Sequence, residues 1–600
     1  EATVNIKTNV YNGSGVTEEY TLITTILDPA GKGVEKVSKF HSVESGSSFE
    51  FSQELEIASP QLWSVETPFM YTAISELYAG KDENQPIMLD RVKTDFGIRY
   101  ISYNARQGFF LNGKPMFLKG GCMHHDNGPL GSASYDRAEE RRVKLMKASG
   151  FNAIRCAHNP PSPGFLDACD RIGMLVIDES FDMWDKQKNP QDYHLYFNEW
   201  WQKDVESMVL RDRNHPSVIM WSIGNEIPES GEPSGSEMAK TQADYIRMLD
   251  PTRPITSAVN SVGPDKDPYF ATLDICGYNY ARDNYVSDHK RFPARLIVAT
   301  ESFPLEAFYY WMYVLDYSWV IGDFVWTGFD YLGEASIGWL GYLQSSSFYP
   351  WMHAYCGDID ICGFKRPQSF YRDALWGNEK NVSIFVKSPV PIFNMVNPDH
   401  QDWSKWNWQD VVADWTWPGY ENTPMDIEVY SNCSEVELFL DDKSIGKQRN
   451  SRSTQFISRW QVPYQPGVLR AVGYDNQQES ATSGLITAGE PVKVSLTVDR
   501  EEINADGQDL SYITVEVMDE NNVRNPKATN LVHFEIEGPG KIVGVGSSNP
   551  FGLESFVQPR RKAYQGRCLV IVKSTREPGN IVITATSEGL QEDQVTIIVK

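Results

Sequence analysis

The sequence predicts a multidomain protein in which a (β/α)8 TIM barrel is flanked by immunoglobulin-like β-sandwich domains. Three observations point to it. The chain has 600 residues, several times a domain of roughly 100–200. Its two ends alternate apolar and polar residues in short runs, the period of half-buried strands. Its middle switches to fully apolar runs separated by longer helical stretches, as parallel strands covered on both faces require.

Residues 1–96 form the first predicted sandwich. Runs such as Thr3-Val4-Asn5-Ile6 and Tyr20-Thr21-Leu22-Ile23 alternate, and turn formers such as Asp28-Pro29-Ala30-Gly31 separate them. Over 97–385, apolar runs recur at 116–122, 151–158, 175–180, 218–226, 254–259, 273–280, 296–302 and 324–334. Helical stretches fall between them at 136–149, 162–172, 199–214, 236–249 and 305–317. Asp136 is placed to cap the first helix, with Glu139 at the capping-box position. Eight apolar strands alternating with helices fit a closed barrel. A doubly wound open sheet is the alternative, but no dinucleotide or P-loop glycine pattern follows the first strand. Strand patterning returns in 386–488, as in Met425-Asp426-Ile427-Glu428-Val429. After a linker, Ile486-Thr487-Ala488-Gly489-Glu490-Pro491, it continues in 489–600, so two further sandwiches are expected. No fixed repeat marks a solenoid.

Composition narrows the function classes. Apolar residues make up 41% and charged residues 22%, ordinary globular values that exclude a disordered or collagen-like chain. Lys and Arg total 55 against 80 Asp and Glu, a net charge of −25. Such a surface repels phosphate backbones and anionic lipids, so no nucleic-acid partner is expected. No window approaches the roughly 18 consecutive apolar residues of a membrane span. The 8 cysteines include no CxxC pair and no zinc-ligand spacing, so they are expected as small buried apolar residues. The start at Glu1, without a signal-peptide pattern, reads as a processed or engineered boundary.

In a (β/α)8 barrel, chemistry sits at the C-terminal ends of the strands. There the candidates are Arg155 and His158 on strand two, Asp178-Glu179 on strand three, and Asn225-Glu226 on strand four. Tyr278-Asn279-Tyr280 closes strand six, Glu301 strand seven, and Trp326 lies on strand eight. Two glutamates at one mouth, ringed by aromatic and amide groups, are the equipment of glycoside hydrolysis. Glu226 follows the apolar run Val218–Gly224, which partly desolvates its carboxyl and favours a raised pKa, as an acid needs. Glu301 suits the nucleophile, with Arg155 holding it as an anion. A separation of roughly 5–5.5 Å would make the mechanism retaining.

Each candidate has a plainer alternative. Asp178-Glu179 is a rival carboxylate pair, expected to support Arg155 rather than to react. His158 is expected to meet a sugar hydroxyl rather than to fill the core. His124, in His124-His125-Asp126, is assigned to the substrate rim, because adjacent histidines diverge and do not form a metal cluster. Trp326 offers a ring to a sugar's apolar face. Tyr278 and Tyr280 share a strand face under regular pairing, and Tyr280 is the one expected to reach the nucleophile. The five tryptophans of 402–420 are expected to pack a sandwich core rather than to form a sugar platform. Ser222 lies in no G-x-S-x-G elbow, which disfavours a serine hydrolase.

The segments LWSVETPFMY, FGIRYI, GFFLNGKPMFLKG, NAIRCAHNPPS, VIDESFDMWD, RDRNHPSVIMWSIGNE, ATESF and FVWTGFDY together resemble glycoside hydrolase family 2. That family holds β-galactosidases, β-glucuronidases and β-mannosidases. The resemblance implies Glu226 as acid/base and Glu301 as nucleophile. It implies substrate-site positions at Asn225, His158, Tyr280 and Trp326, and an arginine near the nucleophile at Arg155. HHDNGPLGSA and SNCSEVELFLDDKSIGKQ are most similar to multidomain bacterial β-galactosidases with extra C-terminal sandwiches. The family usually starts with a sugar-binding jelly roll, and this chain starts where the following domain would. Some members bind magnesium through a Glu and a His after strand three. Here Trp184 stands at the His position, so no metal or other cofactor is expected.

The expected function is therefore a retaining exo-β-glycosidase, β-galactosidase first, acting on oligosaccharides or glycans. β-Mannosidase and β-glucuronidase are the alternatives within the family. The Asn-x-Lys signature expected for uronate recognition is not found in the stretch immediately following Trp326, which weighs against the latter. A non-catalytic carbohydrate-binding protein is the alternative from another class. Similarity to polysaccharide-degrading members implies export to the periplasm or beyond.

Overall fold

The structure, a computed structural model, describes residues 1–81, 87–335, 337–340, 351–377, 379–390 and 404–600. Eight parallel strands close a barrel. They are β1 (Leu118–Met123), β2 (Ala153–Cys156), β3 (Leu175–Glu179), β4 (Val218–Asn225), β5 (Ile255–Val259), β6 (Cys276–Asn279), β7 (Ile297–Ser302) and β8 (Val320–Val325). Closure is made by β8 pairing with β1, Leu118 opposite Gly322 and Gly121 opposite Val325. Helices α1 (Asp136–Ala148), α2 (Pro163–Ile172), α3 (His194–Asp212), α4 (Pro233–Leu249), α5 (Asp267–Phe270), α6 (Tyr285–Arg291) and α7 (Ala307–Asp316) cover the outside, and α8 (Pro367–Trp376) follows β8.

Strand alternation sorts side chains between two cores. Ala153, Leu175, Ile177 and Phe324 belong to the cluster inside the barrel. Their neighbours Ile154, Val176 and Val325 pack outward against Val143, Leu166 and Ala243 of the helices. Local sequence sets the helix ends. In α2, the Ser162 hydroxyl accepts from the Phe165 N–H, Pro163 opens the helix, and Gly173 closes it at φ 80°. The expected cap of α1 by Asp136 is not made. Tyr135 is the N-cap, Asp136 is inside the helix, and Glu139 turns instead to the buried Arg142.

The eighth strand also differs from expectation. Residues 324–334 were expected as strand, but the ladder ends at Val325. The aromatic run after it leaves the sheet as the loop that carries Trp326. The division near 386 moves upstream as well, because strand Val382–Lys387 pairs with Pro424–Ser431 of the following domain.

Residues 1–96 form a four-stranded sheet (Gly33–Val43, Glu18–Leu27, Tyr71–Ala79, Ile87–Phe96) and a two-stranded one (Ala2–Tyr11, Ser48–Ile57). Trp63 and Lys147 lock it to the barrel, donating to the carbonyls of Asp170 at 2.9 Å and Val65 at 2.7 Å. Downstream lie a sandwich of two four-stranded sheets and one of a four- and a five-stranded sheet. All eight cysteines are buried and unbridged.

Candidate active site

A cleft of about 800 Å³ opens at the C-terminal mouth of the barrel. Seven sequence-predicted residues line it: His124, His158, Asn225, Glu226, Tyr280, Glu301 and Trp326. The eighth, Arg155, lies beneath it and is 0% exposed. Expected beside Glu301, it does contact that carboxylate, but from the buried floor of the cleft rather than from its wall.

Glu226 is the first residue past β4, at φ 44°. A non-glycine residue in this left-handed region is strained, and such strain gathers at functional sites. Its N–H donates to the Ala258 carbonyl on β5 at 2.7 Å, which fixes the turn. Tyr280 leaves β6 in the same way, at φ 55°, its N–H donating to the Glu301 carbonyl at 2.9 Å. The register shifts between Tyr278 and Asn279. The two tyrosines therefore do not share a face, contrary to expectation. Tyr278 donates to Asp288 of α6 outside the barrel, and Tyr280 reaches Glu301.

The two carboxyls have different surroundings. Glu301, 4% exposed, accepts from Arg155 Nη1 at 2.8 Å and from the Tyr280 hydroxyl at 2.7 Å. Burial raises its pKa, Arg155 opposes this, Glu226 adds to it, and the balance stays above the ordinary carboxylate value. Glu226 accepts at 3.0 Å from the neutral amide of Asn279.

Arg155 ties the floor together. It donates through Nε and Nη2 to Glu179, at 3.0 and 2.8 Å, and through Nη2 to Asn225 Oδ1 at 3.0 Å. Burial works against its charge, but the carboxylates prevail and hold its pKa well above normal. Glu179 also meets His158 Nδ1 at 2.9 Å and Ser222 Oγ at 2.7 Å. Of the Asp178-Glu179 pair only Glu179 supports Arg155. Asp178 points out of the barrel toward Asp212 and is held well above its usual pKa by burial and by that neighbour.

The aromatic wall is tight. His158 stacks on Trp326 with ring centroids 5.1 Å apart. His124 meets Trp326 edge-on at 5.3 Å and stacks on Tyr331 at 4.2 Å. Burial and the adjacent histidines push the His124 pKa well below its usual value, which leaves it neutral at neutral pH. Among the described residues no group of three His, Cys, Asp or Glu side chains is placed to hold a metal. Trp184 is buried, its N–H on the Ile223 carbonyl at 3.0 Å.

Three residues of this cleft, Asn279, Asp182 and Trp406, were given no site role from the sequence. Asn279 links both halves of the site, donating to Asn225 at 3.1 Å and to Glu226, and accepting from Thr300 Oγ1 at 2.7 Å. A lone amide ending an apolar strand was its signal. Asp182 accepts from Asn225 Nδ2 at 2.9 Å and pairs with Lys188 at 2.7 Å. Trp406 comes from the segment after the barrel, and its N–H donates to the Tyr280 hydroxyl at 2.9 Å. The sandwich-core packing expected for the tryptophans of 402–420 holds for Trp415 and Trp417; Trp408 is buried instead between that sandwich and Ala307, Tyr371 and Ala374 of the barrel helices, and Trp406 lines the cleft. Trp403 lies outside the described residues.

Comparison with known proteins points one way. Residues 104–293 match the family 2 glycosyl hydrolase TIM barrel domain, residues 1–99 the family 2 glycosyl hydrolase domain, and residues 494–596 glycoside hydrolase family 2 C-terminal domain 5. Residues 422–481 match a domain of unknown function. The β-galactosidase BoGH2A of Bacteroides ovatus is 33% identical over 99% of this chain and 73% of its own length. A putative β-glucuronidase of Formosa agariphila is 31% identical over 92% of this chain, which spans only 54% of that protein. A crystal structure of a glycosyl hydrolase family 2 member from Bacteroides cellulosilyticus superposes with a TM-score of 0.96 at 46% identity. The match covers 100% of this chain and 76% of that one.

Proposed function

Because the chain belongs to glycoside hydrolase family 2, we propose that it is a retaining exo-β-glycosidase acting on β-galactosides, with Glu301 as nucleophile and Glu226 as acid/base. The observation that supports these roles is the unequal support of two carboxyls in one cleft. A cation and a phenol hold Glu301, which suits an anion that attacks. A neutral amide holds Glu226, which suits a group that must gain and lose a proton.

In the first step a Glu301 oxygen bonds to the anomeric carbon. The bond from that carbon to the aglycone oxygen breaks, and this oxygen takes the proton of Glu226. In the second step Glu226 removes a proton from water, the water oxygen attacks the same carbon, and Glu301 leaves as a carboxylate. Two inversions retain configuration. Asn225, fixed by Arg155, Asp182 and Asn279, is oriented for a hydroxyl of the sugar beside that centre. The cleft floor is closed by fully buried Arg155 and Glu179, which favours a chain end over a chain interior.

Charge favours a neutral sugar. Among the described residues, the cleft is lined by four carboxylates, Asp182, Glu226, Glu301 and Glu334, and by one lysine, Lys188, which Asp182 already pairs. A uronate would enter a negative field. A panel of nitrophenyl β-glycosides tests the choice. Fast release from the galactoside is expected. Preference for the mannoside or the glucuronide would overturn the sugar assignment, and release from none would favour a carbohydrate-binding protein.

A further inference from the structure

The segment that follows the barrel reaches back into its mouth. The Ser404 hydroxyl donates to the Ile337 carbonyl at 2.9 Å, Lys405 pairs with Glu306 at 2.7 Å, and the Leu305 N–H meets the Lys405 carbonyl at 3.3 Å. These contacts seat Trp406 on the loop after β7. Its ring stands edge-on to Tyr280, with centroids 5.5 Å apart, and to Phe303 at 5.0 Å.

An indole N–H can only donate. The Tyr280 oxygen, 2.9 Å away, must therefore accept from it, and the remaining Tyr280 O–H is directed at Glu301, 2.7 Å distant. Hydrogen bonds in series polarise one another, so a phenol that accepts from Trp406 donates more strongly to the carboxylate. Resting on the assignment of Glu301 as nucleophile, we propose that Trp406 is a positioning residue, contributed from beyond the barrel, that acts through Tyr280 to aim and strengthen the hydrogen bond holding Glu301 ionised.

Other groups also face Glu301. Arg155 and His158 come from β2 and its end, Cys122 from β1, and Glu226 from the end of β4, while Glu179 on β3 acts through the shared Arg155. Burial and Glu226 raise the Glu301 pKa, and Arg155, His158 and Tyr280 lower it. Weakening the Tyr280 contact removes one of the lowering influences, so the pKa rises further.

Trp406→Phe keeps an aromatic ring against Phe303 but removes the donor. We expect kcat/KM to fall about two- to tenfold, the equivalent of one hydrogen bond, and the acidic limb of its pH profile to move upward. Both effects should vanish when the same change is made in Tyr280→Phe, because Trp406 acts through that hydroxyl. If Trp406→Phe does not fold, a benzothiophene analogue of tryptophan, with sulfur in place of N–H, preserves the packing and should give the same limb shift. An unmoved limb, or an equal loss in the Tyr280→Phe background, would overturn the proposal. Failure of the underlying assignment reads differently: Glu301→Gln would then still turn over substrate.

Discussion

At the scale of single residues, the site gives its two carboxyls unlike supports, a cation and a phenol at Glu301 and a neutral amide at Glu226. As the proposed nucleophile, Glu301 must be ionised to attack, and its pKa lies above the ordinary glutamate value because burial outweighs Arg155 and Tyr280. Activity should therefore fall with decreasing pH at a point above the usual glutamate range of about 4.3. A pH profile of kcat/KM checks this, and a limb at or below that range would contradict it. Glu226→Gln should slow hydrolysis of disaccharides by about 10²–10⁴-fold, the usual worth of general acid–base catalysis. Nitrophenyl glycosides, whose phenolate leaves without a proton, should lose far less in the first step; equal losses on both would argue against the acid role. Both carboxyls were legible in the sequence because each ends an apolar strand. Arg155 was legible as a partner of Glu301, but not as a buried one. Its burial depends on Glu179, Asn225 and Glu301, which three other strands contribute. Asn279 and Trp406 were missed for a related reason: their roles arise from contacts that no local pattern encodes.

At the scale of elements, the strands were easier to locate than their ends. Apolar runs identified all eight, but β8 was placed late because the aromatic residues beyond Val325 resemble a strand when pairing is unseen. The same strand carries a titratable group within its packing. Asp323, fully buried, has its pKa raised to about 6 by burial, against the pull of Arg372 and with a further push from Asp358. The folded state thus binds this proton more tightly than the unfolded chain does. The stabilisation is complete below the unfolded value, near 3.8, and is lost as pH rises through about 6. Asp323→Asn should raise the unfolding temperature at pH about 8 relative to wild type, with the gap closing toward pH about 4. Thermal melts at the two pH values decide it, and a gap of the same size at both would refute the linkage.

At the scale of the whole molecule, the sandwiches are docked by faces that a strand-by-strand view leaves ambiguous. In strand Leu510–Met518, Ile513 and Val515 face their own core, whereas Leu510 and Tyr512 join Ala138, Ile361 and Cys362 of the barrel domain. Arg141 of α1 lies over the Tyr512 ring at 4.2 Å. Alternation identified the strand but not the second buried face, since an apolar outer face only acquires meaning from its partner. Tyr512→Ala should weaken this docking by about 3 kcal/mol and speed proteolysis in the 486–491 linker without unfolding the C-terminal domain. Unchanged cleavage would show that other contacts suffice. The proposed catalysis turns on one bond, from a Glu301 oxygen to an anomeric carbon. Mass spectrometry of the protein treated with a 2-deoxy-2-fluoro-β-galactoside tests it most directly. One fluorogalactosyl group on the peptide containing Glu301, absent in Glu301→Gln, is the predicted result. Labelling elsewhere, or labelling that persists in Glu301→Gln, would contradict it.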